Sequence, residues 1–124
     1  MIPFRRLAFA SMLALPVAGV SCSSSEHSAS RLSVTSTDST CKVARTSLHA
    51  GRYQLDVTND GAKVTEVYVY GPRDKVVGEV ENIGPATSRS LSVTLEPGTY
   101  QLACKPGMTG RGIRTALTVS EADD

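Results

Sequence analysis

Apolar and polar residues alternate with a period of two over most of the chain beyond residue 50. Tyr53, Leu55 and Val57 alternate with Gln54, Asp56 and Thr58, and Leu91, Val93 and Leu95 alternate with Ser90, Ser92 and Thr94. Tyr100, Leu102 and Cys104 alternate with Thr99, Gln101 and Ala103, and Ile113, Leu117 and Val119 share one parity near the end. Successive side chains of a strand point to opposite faces, so this pattern predicts strands with one face buried and one in water. Residues 64–70 are apolar on both parities apart from Thr65 and Glu66, which places that strand inside a sheet.

Turn chemistry falls between these runs. Asn59-Asp60-Gly61 suits a tight reversal, and Gly71-Pro72-Arg73-Asp74 suits a turn with proline second. Glu96-Pro97-Gly98-Thr99 and Lys105-Pro106-Gly107-Met108 each place Pro and Gly at the two central positions of a type II turn. No amphipathic helix of three turns can be drawn. Short strands separated by such turns at intervals of about ten residues predict an all-β sandwich. Parity also places chemistry: Cys104 shares the inward side of Tyr100 and Leu102, and Glu66 shares a face with Val64, Tyr68 and Tyr70. An acid on an otherwise apolar face needs a partner, because burying an unpaired carboxylate is costly. Glu79 and Glu81 share a parity and can point the same way.

The start of the chain follows a different pattern. Arg5 and Arg6 precede an uncharged run over residues 7–20, which ends on Ser21 before Cys22. A basic start, an apolar stretch and small residues at the cut define an export signal, expected over residues 1–21. The run is too short to span a hydrocarbon core of roughly 30 Å, and Pro16 interrupts its helical continuity. Val20-Ser21-Cys22 resembles a bacterial lipobox, although Gly19 stands where that pattern prefers Leu, Val or Ile. The resemblance implies acylation of Cys22, palmitate among the acyl chains, and a lipid-anchored protein on the extracytoplasmic face of the cell membrane.

Charge narrows the choice of partner. Loss of Arg5 and Arg6 with the signal takes the basic count from 13 to 11 against 12 acids, so the exported chain carries a side-chain charge of about −1. Its Lys and Arg residues are scattered singly, so nucleic-acid binding lacks its electrostatic footprint. Residues 22–39 are rich in Ser and Thr and read as a tether, leaving one compact domain over residues 40–121. Of three cysteines, lipidation of Cys22 leaves Cys41 and Cys104. In an oxidising compartment this pair suggests a disulfide; reduced, the same residues are thiolate metal ligands.

A family resemblance rests on a chain of motifs. They are Cys41, Glu66-Val67-Tyr68, Glu79-Val80-Glu81-Asn82-Ile83-Gly84-Pro85, Glu96-Pro97-Gly98-Thr99-Tyr100-Gln101-Leu102-Ala103-Cys104, and Lys105-Pro106-Gly107-Met108. Together they resemble the cupredoxin-like domain of EfeO, the periplasmic component of a bacterial iron-uptake system, here expected as a stand-alone lipoprotein without the family's helical peptidase-like part. The resemblance implies a cupredoxin-like Greek-key β-sandwich and a metal site built from two cysteines and acidic residues, holding copper or iron. The matching positions are Cys41, Glu66 and Cys104, joined by Glu79 or Glu81. An iron permease or peroxidase is the implied partner.

The residues themselves limit that expectation. A blue-copper centre wants two His, one Cys and a weak axial Met. Beyond the signal only His27, in the tether, and His49, beside an apparent turn, are available. Cys104 and Met108 echo a copper loop, but the histidine between them is missing. A mixed site of Cys41, Glu66, Glu79, Glu81 and Cys104 remains, with thiolates suited to Cu(I) and carboxylates to ferric iron. The alternatives stay open: a disulfide between Cys41 and Cys104, a salt-bridged Glu66, and solvated Glu79 and Glu81. Catalysis is not expected, since no Ser/His/Asp set, phosphate-cradling glycine loop or His-rich site is present. The function expected is metal handling by a membrane-tethered domain; the rival is a disulfide-stapled interaction module without metal.

Overall fold

The computed structural model describes Pro16, residues 18–21 and residues 28–123. Cys22, His27 and most of the expected signal peptide lie outside the described residues. Among the described residues nine strands follow one another: β1 (Ser30–Ser36), β2 (Cys41–Val43), β3 (Ser47–His49), β4 (Gly51–Asn59), β5 (Thr65–Tyr70), β6 (Val76–Ile83), β7 (Ser88–Leu95), β8 (Gly98–Cys104) and β9 (Ile113–Ser120). They form two sheets, of order β2-β1-β4-β7 and β3-β9-β8-β5-β6. The β1/β4 and β3/β9 pairs are parallel, and the other ladders are antiparallel. Helical structure among the described residues is confined to two short 3-10 turns, and no helix is long and apolar enough to cross a membrane.

The core lies between the sheets and is built from the alternating positions. Tyr53, Leu55 and Val57 of β4 and Leu91, Val93 and Leu95 of β7 meet Val67 and Val69 of β5, Tyr100 and Leu102 of β8, and Leu117 and Val119 of β9. The residues between them in β4, β7 and β9 face water. At the side of the sandwich β6 lies close against β7. A Cβ on Gly78 would stand 2.6 Å from a Val93 methyl, so this approach requires glycine.

One domain boundary is corrected. Residues 30–36 belong to the sandwich rather than to the Ser/Thr-rich tether expected over 22–39. Strand β1 pairs along its whole length with β4, and Leu32 and Val34 are each only 1% exposed. The serines and threonines that gave the segment a linker-like composition include its outward-facing alternates, while Ser36 is buried and bonded to the Thr65 hydroxyl at 3.2 Å.

The turns divide as well. Gly107 has φ 75° and ψ 4°, and the Met108 amide donates to the Lys105 carbonyl at 2.9 Å, which is the type II turn expected there. At Pro97 the expected type II turn is absent. Gly98 has φ 152°, and the Tyr100 hydroxyl instead clamps the reversal, donating to the Glu96 carbonyl at 2.9 Å and accepting from the Glu96 amide at 3.0 Å.

Because Leu32 is core, Leu32→Ala is expected to lower stability by about 2–5 kcal/mol in urea unfolding of the domain. Were residues 30–36 a tether, the same change would leave the midpoint unmoved.

Candidate metal-handling face

The pleat sorts the sequence-predicted site residues between the core and the outer face of the β3-β9-β8-β5-β6 sheet. Cys104 pairs in register with Val67, and both belong to the core cluster. Cys41 enters the same core from β2 of the other sheet, and its sulfur is bonded to that of Cys104 at 2.04 Å. The disulfide alternative is therefore the one adopted. Neither sulfur is a thiolate in this form, so the five-residue mixed site of Cys41, Glu66, Glu79, Glu81 and Cys104 does not assemble.

The three glutamates lie together on the outer face. Glu79 stands opposite Tyr68 in the β5/β6 register. Thr65 pairs with Ile83 and Val67 with Val80, so Glu81 and Asn82 both stand opposite Glu66 in a β-bulge. Asn82 takes φ 56° at this irregularity. Val80 and Ile83 point inward and are buried, while Glu79 and Glu81 are exposed on the side of Tyr68. The Tyr68 hydroxyl donates to a Glu81 carboxylate oxygen at 3.1 Å.

Glu66 is the buried member, 7% exposed. Burial pushes its carboxyl above the usual value of 4.5; Lys105 opposes that rise, and the negative charges of Glu81 and Glu79 add to it. The Tyr68 phenol is also pushed up, first by the Glu79 carboxylate, then by burial and by Glu81. The cluster is thus a concentrated negative charge with a phenol hydroxyl among its carboxylates. As placed, no three His, Cys, Asp or Glu side chains among the described residues stand close enough together to hold a metal ion.

Sequence reasoning missed two participants. Tyr68 and Tyr70, which alternation places on the face of Glu66, stack with ring centroids 5.6 Å apart, and Tyr68 also bonds the acidic cluster. Lys105 places its ammonium 4.0 Å from the Tyr68 ring centroid and donates to the Tyr70 hydroxyl at 2.9 Å. Parity contains the signal for Lys105: the residue after an inward Cys104 points outward.

A blue-copper ligand set does not fit these residues. Cys104 is held in the disulfide. His49 lies at the Ser120 end of the second sheet, with its Nδ1 3.4 Å from an Asp123 oxygen, whereas Cys104 pairs with Ile113 at the opposite end of β9. Met108 sits in the turn after β8.

The raised Glu66 carboxyl has a signed consequence. Its protonated form is favoured by folding, so stability is fully present below the ordinary glutamate value of 4.5 and is lost as pH rises through the raised folded value. Glu66→Gln is expected to raise Tm at neutral pH, and the gain is expected to vanish in acid, as read by thermal melts across that range. An equal gain at every pH would show that charge is not its origin.

Comparison with known proteins agrees with this architecture. The family described as the cupredoxin-like domain matches residues 8–119. The iron uptake system component EfeO of Yersinia pestis is 32% identical over 102 residues, covering 82% of this chain and 26% of that protein. The Escherichia coli K12 protein of the same name is 33% identical over 74 residues, covering 60% of this chain and 20% of that protein. The chain thus spans about a quarter or less of the length of these relatives. Among solved structures, azurin from Methylomonas sp. strain J superposes with a TM-score of 0.57 at 15% identity, over 76% of this chain and all of that one. Auracyanin from Roseiflexus castenholzii does so at 0.56 and 17% identity, over 75% of this chain and 99% of that one. These likenesses show a shared fold. The chain belongs to the cupredoxin-like domain family, in the form found in the iron-uptake component EfeO.

Proposed function

We propose that this domain handles a hard, oxygen-seeking metal ion, ferric iron foremost, outside the cytoplasmic membrane as part of an iron-uptake system. The observation that carries the reading is the outer face of β5 and β6. There Glu66, Glu79 and Glu81 gather around Tyr68 while both core sulfurs are consumed in a disulfide. Carboxylate and phenol oxygens suit hard cations, and the thiolates that would favour Cu(I) are not available. Iron here is cargo. Its capture requires the exposed Glu79 and Glu81 side chains to change rotamer toward Glu66. The relatives named as iron-uptake components support the same reading, with a permease or peroxidase of such a system as partner. Within it, residues 1–21 direct export, and acylated Cys22 tethers the domain to the membrane. The domain has no catalytic role in this reading.

A second reading is a disulfide-stapled interaction module without metal. It is favoured by the absence, among the described residues, of three potential ligands already within reach of one ion.

Terbium separates the two. This redox-inert trivalent ion emits when bound near tyrosine, and the chain has no tryptophan to confuse the signal. The disulfide-bonded protein is expected to give saturable sensitised emission that ferric nitrilotriacetate competes away. The double change Glu79→Gln, Glu81→Gln is expected to weaken binding by about tenfold or more. Absence of binding by either ion would favour the module. For the tether, intact-mass analysis of membrane-extracted protein is expected to show an acylated Cys22 as its first residue. Cys22→Ala is expected to appear in the soluble extracytoplasmic fraction.

A further inference from the structure

Lys105 is held where a bound cation would be wanted. Its backbone is fixed from both sides: its amide donates to the Glu66 carbonyl at 2.8 Å, and its carbonyl accepts from Met108 at 2.9 Å. The Gly107 amide, donating to the Val64 carbonyl at 2.8 Å, pins the same turn against the start of β5. The side chain does not extend into water as a surface lysine ordinarily does. It lies back over the sheet, with its Nζ 4.0 Å from the Tyr68 centroid and 5.5 Å from that of Tyr70, and donates to the Tyr70 hydroxyl at 2.9 Å. The other end of the tyrosine stack is already occupied, because the Arg114 guanidinium stands 4.4 Å from the Tyr70 ring centroid. The Arg114 guanidinium is paired with Asp74 at 3.3 Å. Lys105 has no such ion pair among the described residues, and its positive charge favours the ionised form of Glu66 against the effect of burial.

We propose that Lys105 is a resident surrogate cation, whose ammonium neutralises the Glu66–Tyr68 site in the metal-free protein and must be displaced when a metal ion enters. The proposal rests on the reading that these carboxylates take a hard cation. Entry exchanges one charge for another: the ion sheds part of its water onto the carboxylates, and the ammonium swings off the Tyr68 face into solvent. No bond to Lys105 forms or breaks, and no electron moves. Its return opposes the bound ion, which keeps capture reversible and lets a downstream acceptor remove the cargo. The two tyrosine faces give the ammonium a place to wait near the site.

The test uses terbium titration of the disulfide-bonded protein, followed by calorimetry and by tyrosine-sensitised emission. Wild type is compared with Lys105→Met and Lys105→Gln, and with Lys75→Met, which removes one positive charge at the opposite end of β5. Both neutral Lys105 variants are expected to bind about tenfold more tightly at low salt, with Lys75→Met unchanged. A purely structural role for Lys105 would lower Tm without raising affinity. Wild-type binding with equal or weaker binding by both Lys105 variants would overturn the surrogate role and leave the metal reading standing. Binding by neither wild type nor the Lys105 variants would overturn both. Binding by the Lys105 variants alone would support displacement in its strongest form.

Discussion

The Cys41–Cys104 bond joins the two sheets inside the core, and the chemistry open to this protein follows from it. Its two ends are 63 residues apart in sequence, and closing a loop of that length in the unfolded chain is worth about 4 kcal/mol by chain-entropy reasoning. That is a large share of the stability of a domain this small. Cys41 belongs to β2, a strand of only three residues at the edge of its sheet. With so short a ladder, β2 depends on the crosslink and on the bond from the Thr115 hydroxyl to the Cys41 carbonyl, 2.7 Å long, to stay seated. The same bond removes both sulfurs from metal chemistry, which leaves the carboxylate and phenol oxygens of Glu66, Glu79, Glu81 and Tyr68 as the donors this region offers.

Those donors lie on the other side of the same strands. Strands β5 and β8 each show the core one parity and the outer face the other, so Val67 and Cys104 look inward while Glu66, Tyr68 and Lys105 do not. The bulge opposite Glu66 adds one residue to β6 and brings Glu81 beside the start of β5. Strand polarity then sets where this face lies relative to the entry of the chain. Ser30 pairs with Tyr53 near the start of β4, whereas Glu66 follows the loop that leaves β4 at Asn59. The nine residues of β4 span roughly 30 Å. The chain therefore enters the sandwich at one end and the carboxylates lie toward the other.

Much of this was legible in single residues. The triplets at 53–57, 91–95 and 100–104 named their buried positions correctly because strict alternation leaves few other structures, and Cys104 was placed inward by the same count. Strand β1 escaped because Leu32 and Val34 are only two apolar residues among serines and threonines. Composition spoke for a linker, and parallel pairing with β4 leaves no local turn signal. The division of the site was hidden for a different reason. Parity within one strand says that Glu66 and Tyr68 share a face, but only the register between β5 and β8 says that Cys104 lies behind them. Bulges are equally silent in sequence: Asn82 resembles any polar strand residue until its positive φ is seen.

The fold likeness to azurin and auracyanin therefore supplies an architecture without its usual chemistry. A blue-copper centre would need a thiolate, imidazoles and a thioether to converge on one ion, and the cysteine nearest Met108 in sequence stands at the C-terminal end of β8. Here Cys104 occupies that end of β8, but its sulfur is turned into the inter-sheet bond. The residue that follows it, where the turn begins, is Lys105, and its side chain carries a fixed positive charge to the outer face. One step of the pleat thus separates a structural sulfur from an electrostatic counter-ion. The fold shared with azurin and auracyanin here presents carboxylates, a phenol and an ammonium on its outer face, because function is set by which side chains the strands present and not by the strands themselves.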